Sequence, residues 1–205
     1  MIQFIPHAYK TVLEIGCGEG NFRENLDLNN EYWGVEANQQ SCAVATQKLD
    51  TALYGLYDEV EHNIPDNYFD LIICNDVIEH MDGHIEFLNG IKNKLSANGT
   101  LILSLPNVRQ VSNLYNLLFK KDWEYKDAGV LDRTHLRFFT KKSMLRLFKE
   151  TGWEIEHFKG LNRYGSNRYG PRFFLSYLLQ FIYGFDSVYL QFGARLAPST
   201  NIENS

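Results

Sequence analysis

Cysteine is scarce and poorly placed for any framework: Cys17, Cys42 and Cys74 are an odd number, far apart and set in apolar or loop contexts. That argues against a disulfide scaffold and a cysteine-based zinc site, and for a reducing compartment. Long hydrophobic runs are missing too. No stretch of about 18 apolar residues is present to span a bilayer, and MIQFIPHAYK lacks the charged start and apolar core of an export signal. A cytoplasmic chain is expected. Internal repeats, low-complexity tracts and domain linkers are also lacking. The 205 residues, 44% hydrophobic and 14% aromatic, are therefore expected to fold as a single domain over 1–205, with a loose tail at 198–205.

Positive charge is scarce in one half only. Residues 1–91 carry 3 Lys+Arg against 16 Asp+Glu, and residues 92–205 carry 17 against 9, so the net charge of −5 divides into −13 and +8. The overall acidity speaks against RNA as a substrate, and no DNA partner is expected. The basic second half points to a smaller anionic counterpart, either phosphate groups or a membrane surface.

Short apolar runs alternate with amphipathic stretches, the pattern of βα units and a mostly parallel sheet. Strands are expected at Thr11 to Ile15, Tyr32 to Glu36, Asp70 to Cys74 and Thr100 to Leu105, with a further one ending before Gly55. Asn38 is expected to cap a helix running to about Leu49. Ile85, Leu88, Ile91 and Leu95 mark a second helix over Gly83 to Leu95, closed by Gly99. After a long aromatic and basic connection, Pro106 to Phe139, Thr140 caps a helix over Lys141 to Thr151, and further strands are expected near Trp153 to Phe158 and Val188 to Arg195.

The stretch TVLEIGCGEGNF, Thr11 to Phe22, sets three glycines at every second position. A dinucleotide loop reads G-x-G-x-x-G, and the spacing Gly16, Gly18, Gly20 is off by one. Glu36, 20 residues after Gly16, can accept hydrogen bonds from two ribose hydroxyls. It identifies a ribose without identifying the cofactor.

Taken with PDNYFDLIICNDVIEH and NGTLILSLPN, the E-x-G-x-G-x-G loop resembles the class I S-adenosylmethionine-dependent methyltransferases in order and spacing from Val12 to Asn107. The later GVLDRTHLRFFTKKSMLRLFKETGWEIE resembles the branch found in bacterial surface polysaccharide and O-antigen biosynthesis. The resemblance implies an α/β, Rossmann-like, seven-stranded and mostly parallel sheet with an antiparallel last strand and helices on both faces. It implies S-adenosylmethionine as cofactor, with Glu14, Gly16, Cys17, Gly18, Gly20, Glu36, Ala37, Leu56, Tyr57 and Asn75 around it. Glu14 would orient the ammonium and Glu36 the ribose, while the glycines let backbone pass the ligand without Cβ clashes. One departure concerns adenine: relatives commonly read Gly-Asp where this chain has Gly55, Leu56 and Tyr57. Either Asp58 substitutes for that acid, or Leu56 and Tyr57 hold the ring by apolar contact and backbone hydrogen bonds alone.

Asn75 and Asp76 come directly after the fourth strand and should border the transferred methyl, since ligands of open α/β sheets sit at strand carboxyl ends. The spacing Asp76, Glu79, His80 resembles the E-x-x-E-H set of metal-dependent O-methyltransferases of the ubiquinone pathway and of small-RNA ends, with Asp in place of the first Glu. On that reading Asp76, Glu79, His80 and His135 share a Mg2+ ion that orients a hydroxyl and lowers its pKa. The other reading makes Glu79 and His80 first-turn residues without metal, and His135 a general base. Arg133 and Arg137 flank His135 and can bind an acceptor phosphate or carboxylate.

Gly170 to Phe185, GPRFFLSYLLQFIYGF, is too short to span a membrane. It reads as a core or homodimer-contact helix, or as an interfacial helix that puts the chain on the inner face of the membrane. The expected function is O-methylation of a hydroxyl of a glycan, nucleotide sugar or related small molecule, with residues 106–139 as acceptor lid. The alternatives are an RNA 3′ end or lipophilic phenol as acceptor, or a non-catalytic partner subunit with the same fold.

Overall fold

The apolar runs pair into one seven-stranded sheet in the computed structural model, which describes residues 1–164 and 181–199. The strands are β1 (Thr11–Ile15), β2 (Glu31–Glu36), β3 (Thr51–Tyr54), β4 (Phe69–Asn75), β5 (Leu95–Pro106), β6 (Trp153–Arg163) and β7 (Tyr189–Pro198). Their order is β3-β2-β1-β4-β5-β7-β6. The first five run parallel, and β7 is antiparallel to both β5 and β6. The described helices are α1 (Gln39–Ala45), α2 (Tyr57–Val60), α3 (His84–Gly90), α4 (Val111–Tyr115) and α5 (Lys141–Glu150).

The central strands are apolar on both faces because both faces are covered. With a period of two, Leu13, Ile15, Ile72, Cys74, Leu101 and Leu103 meet Phe87 and Leu88 of α3 and Met144 and Phe148 of α5. Val12, Leu71, Ile73 and Ile102 point the other way, to Phe4, Tyr32 and Ala45 of α1. Both expected caps form: Asn38 Oδ1 accepts from the backbone N–H of Gln40 and Ser41, and Thr140 Oγ1 accepts from that of Ser143.

Several boundaries differ from those expected: α1 ends at Ala45 rather than near Leu49, and β6 runs on to Arg163. The helix from Gly83 stops at Gly90, passes into a short 3₁₀ turn (Ile91–Lys94), and β5 begins at Leu95. The carbonyls of Asn93 and Lys94 accept from Asn67 and Tyr68, which ties the end of this turn to the segment leading into β4. Gly99 lies inside β5 and closes no helix. A Cβ there would stand 2.5 Å from the Phe69 carbonyl, at the register shift between Phe69 and Leu71. At the C-terminal side, Pro198 is paired with Trp153 in the sheet and is not loose; residues 200–205 lie outside the described residues.

Of the apolar segment 170–185, residues 170–180 lie outside the described residues. In the rest, Phe181, Ile182 and Phe185 are exposed and not packed as core. Among the described residues no helix is long and apolar enough to cross a membrane.

Candidate active site

The strand order reverses at β1, between its neighbours β2 and β4, and a crevice opens at the carboxyl ends of strands at such a point. Here it is a cavity of about 610 Å³, walled by Gly16, Glu36, Ala37, Leu56, Tyr57, Asp58, Asn75, Asp76 and His80, and on the lid side by Leu136.

The glycine loop needs backbone that side chains resist. Gly16 has φ +69°, and a Cβ on it would lie 2.6 Å from Val77 Cγ2. The loop runs into a five-residue 3₁₀ helix (Asn21–Asn25), not an α-helix. No long helix dipole is therefore offered to a pyrophosphate, which agrees with a cofactor that has none. Glu36 is held by the loop: its Oε2 accepts from Gly18 N–H at 2.8 Å and its Oε1 from Asn38 N–H at 2.7 Å. Each oxygen keeps a second lone pair for a ribose hydroxyl. Asn75 Oδ1 is buried in the wall with no hydrogen-bond partner among the described residues, an acceptor that a ligand donor can satisfy.

Four residues expected at the cofactor lie elsewhere than the wall. Cys17 is buried with its Sγ beside Gly34, and Gly18 and Gly20 shape the turn. Glu14 alternates to the opposite face of β1, where its Oε2 accepts from the Tyr32 hydroxyl at 2.7 Å. Burial pushes its pKa up to about 8 against the pull of that hydroxyl. A carboxyl protonated near pH 7 and away from the cavity is no direct anchor for an ammonium.

Beyond Asn75, the backbone turns through Asp76 at φ +52° into a 3₁₀ turn (Ile78–His80) that drives Glu79 inward to zero exposure while His80 faces the cavity. Glu79 and the two histidines His80 and His135 bring ligand atoms within 4.8 Å of one another. The connection after β5 reaches them because Leu136 and Arg137 donate their N–H groups to the Glu79 carbonyl, at 2.8 and 3.1 Å.

The tautomers are set by the acceptors. Nδ1 of His135 lies 3.1 Å from the Val130 carbonyl, which can only accept. Nδ1 of His80 lies 3.2 Å from the Thr134 carbonyl and 3.1 Å from Thr134 Oγ1, whose own hydrogen goes to Asp132. Both rings carry their proton on Nδ1, so both Nε2 lone pairs are free. Desolvation lowers the His135 pKa below the usual imidazole value. Burial pushes Glu79 up to about 8, with Asp76 and Asp132 adding to it. Glu79 Oε1 and His135 Nε2 stand 3.9 Å apart, too far for a hydrogen bond, and the opposed shifts make the pair neutral at pH 7 rather than an ion pair. Both Glu79 carboxyl oxygens lack a hydrogen-bond partner among the described residues.

Asp76, the fourth residue of the expected ligand set, is not among the three whose ligand atoms lie within 4.8 Å of one another. Ser104, buried in β5, donates its hydroxyl to Asp76 Oδ1 at 2.8 Å and holds the carboxylate on the cavity wall. Sequence motifs do not single out Ser104, although a lone hydroxyl inside the apolar run LILSLP is a signal. Met81, Asp82 and Gly83 also line the cavity, where the sequence shows only a helix start. Arg133 and Arg137 pair with Asp127 and Asp82, at 2.7 and 3.1 Å, in exposed ion pairs.

A parallel sheet with an antiparallel strand slotted beside its last parallel neighbour, a glycine loop and a ribose acid define the class: a Rossmann-like S-adenosylmethionine-dependent methyltransferase fold. The methyltransferase of this class from Archaeoglobus fulgidus superposes with a TM-score of 0.65 at 19% identity, over 95% of this chain and 88% of that one. A possible histamine N-methyltransferase from Thermotoga maritima gives 0.63 at 17%, over 96% and 84%. The chain belongs to the methyltransferase-domain family, whose model matches residues 3–158.

Among similar curated proteins are the ubiquinone biosynthesis O-methyltransferase of Rickettsia typhi, 25% identical over 73% of this chain, and the mitochondrial one of Schizosaccharomyces pombe, 26% over 74%. The match spans only 62% and 58% of those relatives' own lengths. Neither name refers to polysaccharide, so the branch expected from GVLDRTHLRFF has no support from them.

Proposed function

We propose that this chain transfers the methyl group of S-adenosylmethionine to a hydroxyl oxygen, preferentially that of a lipophilic phenol, with a divalent cation held by Glu79, His80 and His135. The observation that carries this reading is the buried Glu79, with both carboxyl oxygens unpartnered, facing two imidazoles whose Nε2 lone pairs are free. Leaving such a carboxyl bare costs about 1–3 kcal/mol, and a shared cation satisfies all three groups at once.

Donor chemistry narrows the ion. Two nitrogens and one carboxylate suit a borderline transition cation such as manganese or zinc better than magnesium, which prefers oxygen. A cation bound there supplies Lewis acidity that lowers the pKa of an adjacent hydroxyl. The protein residues do the rest. Glu36 and Gly16 hold the cofactor's ribose and flank, Asp76 and His80 border the acceptor side, and the half-exposed Leu136 stands at the cavity's edge. As the acceptor oxygen bonds to the methyl carbon, the carbon–sulfur bond breaks and S-adenosylhomocysteine leaves. The hydroxyl proton passes to solvent water at the cavity mouth when a cation holds both imidazoles, and to an imidazole Nε2 where no cation occupies it.

A phenol is favoured over the glycan or nucleotide sugar expected from sequence because the similar proteins bear the name of ubiquinone biosynthesis. The test is a competition: S-adenosylmethionine with a panel of alkylated phenols and nucleotide sugars, read by mass spectrometry. A gain of one methyl on a phenolic oxygen supports the reading, methylation of a sugar alone replaces the acceptor, and no methylated product with S-adenosylhomocysteine still bound makes the chain a non-catalytic partner.

A further inference from the structure

We propose that the arm carrying α4 and the turn after it docks this protein on an anionic lipid bilayer. Tyr115, Leu117, Leu118 and Phe119 are each between 45% and 64% exposed, a run of four large apolar side chains within five residues. Soluble monomers rarely leave such a patch uncovered. Lys120 and Lys121 come next in the chain, and neither has a carboxylate partner among the described residues.

A second exposed apolar group, Phe181, Ile182 and Phe185, belongs to the same end of the sheet. The Val111 N–H at the start of α4 donates to the Ser187 carbonyl at 2.8 Å, and Arg109 pairs with Asp186 at 2.8 Å, so the two apolar groups are tied at their bases. Lys141 and Lys142 line the hollow beside Phe185. Apolar side chains rimmed by lysines without carboxylate partners are the composition of a segment lying in the headgroup zone.

Charge decides between occupants. Residues 106–142 carry 8 Lys+Arg against 4 Asp+Glu, so a second copy related by a two-fold axis would bring Lys120 and Lys121 against their own kind. An anionic bilayer meets the lysines with opposite charge and the aromatic and leucine side chains with hydrocarbon. The arm leaves the sheet at the end of β5 and returns at Leu136 in the cavity wall, so docking turns the cavity mouth towards the lipid. Its delivery of a lipophilic acceptor rests on the phenol reading; the docking itself is measured without any methyl transfer.

The test is co-sedimentation of the full chain with vesicles of phosphatidylcholine alone and with vesicles enriched in phosphatidylglycerol, at low and high salt. Binding to the anionic vesicles only, weakened by salt, is expected. The double variant Lys120→Ala/Lys121→Ala should partition roughly 30-fold more weakly, at about 1 kcal/mol per lysine. Leu118→Ser/Phe119→Ser should lose at least about tenfold even at low salt. Both variants should keep the thermal shift given by S-adenosylhomocysteine, which shows that they fold. Absence of binding by the wild type at low salt overturns the proposal, as does equal binding to neutral vesicles or wild-type binding by both variants. A wild-type dimer that Leu118→Ser/Phe119→Ser breaks, with no vesicle binding, assigns the patch to a second copy instead.

Discussion

Glu79→Gln should change the pH dependence of stability by an amount the site itself sets. The carboxyl has a folded pKa of about 8 against an ordinary value of 4.5, because burial disfavours its charge. An acid whose pKa is raised on folding is held protonated by the fold while the unfolded chain releases its proton. Stability is therefore undiminished below about pH 4.5 and lost as pH rises to about 8. At about 1.4 kcal/mol per pH unit, the loss is about 3 kcal/mol at pH 7 and about 5 kcal/mol at pH 8 and above. Glutamine has the same shape and does not titrate, so the variant should gain on the wild type by those amounts as pH rises from 5. Glu14, with a pKa also near 8, contributes equally to both proteins and cancels in the difference. The assay is chemical denaturation from pH 5 to 9 in chelator, repeated with manganese. Manganese should reverse the order at pH 8, stabilising the wild type by displacing the Glu79 proton and leaving the variant unmoved. Parallel pH profiles in chelator, or equal stabilisation of both proteins by manganese, would refute the reasoning.

Gly16→Ala puts a methyl 2.6 Å from Val77 Cγ2 at a φ of +69°. It should cost about 1–2 kcal/mol of stability and lower S-adenosylhomocysteine affinity by more than tenfold in calorimetry, as Val77 is pushed into the cavity. Tyr32→Phe removes the hydroxyl that donates to buried Glu14, so denaturation should show a loss of about 1–3 kcal/mol at pH 7, growing above pH 8 as Glu14 is forced to ionise without it. Asp76→Asn keeps an acceptor for the Ser104 hydroxyl and lies outside the three-residue cluster, so manganese titration should give the wild-type affinity while turnover falls. A matching loss of metal affinity would restore Asp76 to the ligand set.

Much of this arrangement is legible in the sequence where one local cause decides it. The apolar runs of β1 and β4 are buried on both faces and leave no alternative, and Asn38 and Thr140 cap their helices with side chains that can do little else there. Positions set by distant partners are not legible. The turn after the helix from Gly83 is tied down by Asn67 and Tyr68, far back in the chain, which donate to the carbonyls of Asn93 and Lys94 just before β5 begins. β6 continues to Arg163 through polar residues because β7 supplies a backbone ladder that side-chain pattern does not reveal. In the site, Glu79, His80 and His135 meet because the lid hangs on the Glu79 carbonyl, whereas Asp76 is drawn off by Ser104 and Glu14 falls on the wrong face of its strand.

Methyl transfer to a phenolic acceptor, measured in chelator and after adding back manganese, tests the central claim most directly. Turnover should vanish in chelator, return with manganese more fully than with magnesium, and fail to return in His80→Ala although that variant still binds S-adenosylhomocysteine. Undiminished turnover in chelator, by wild type and His80→Ala alike, would contradict the account and leave Glu79, His80 and His135 without the role assigned to them.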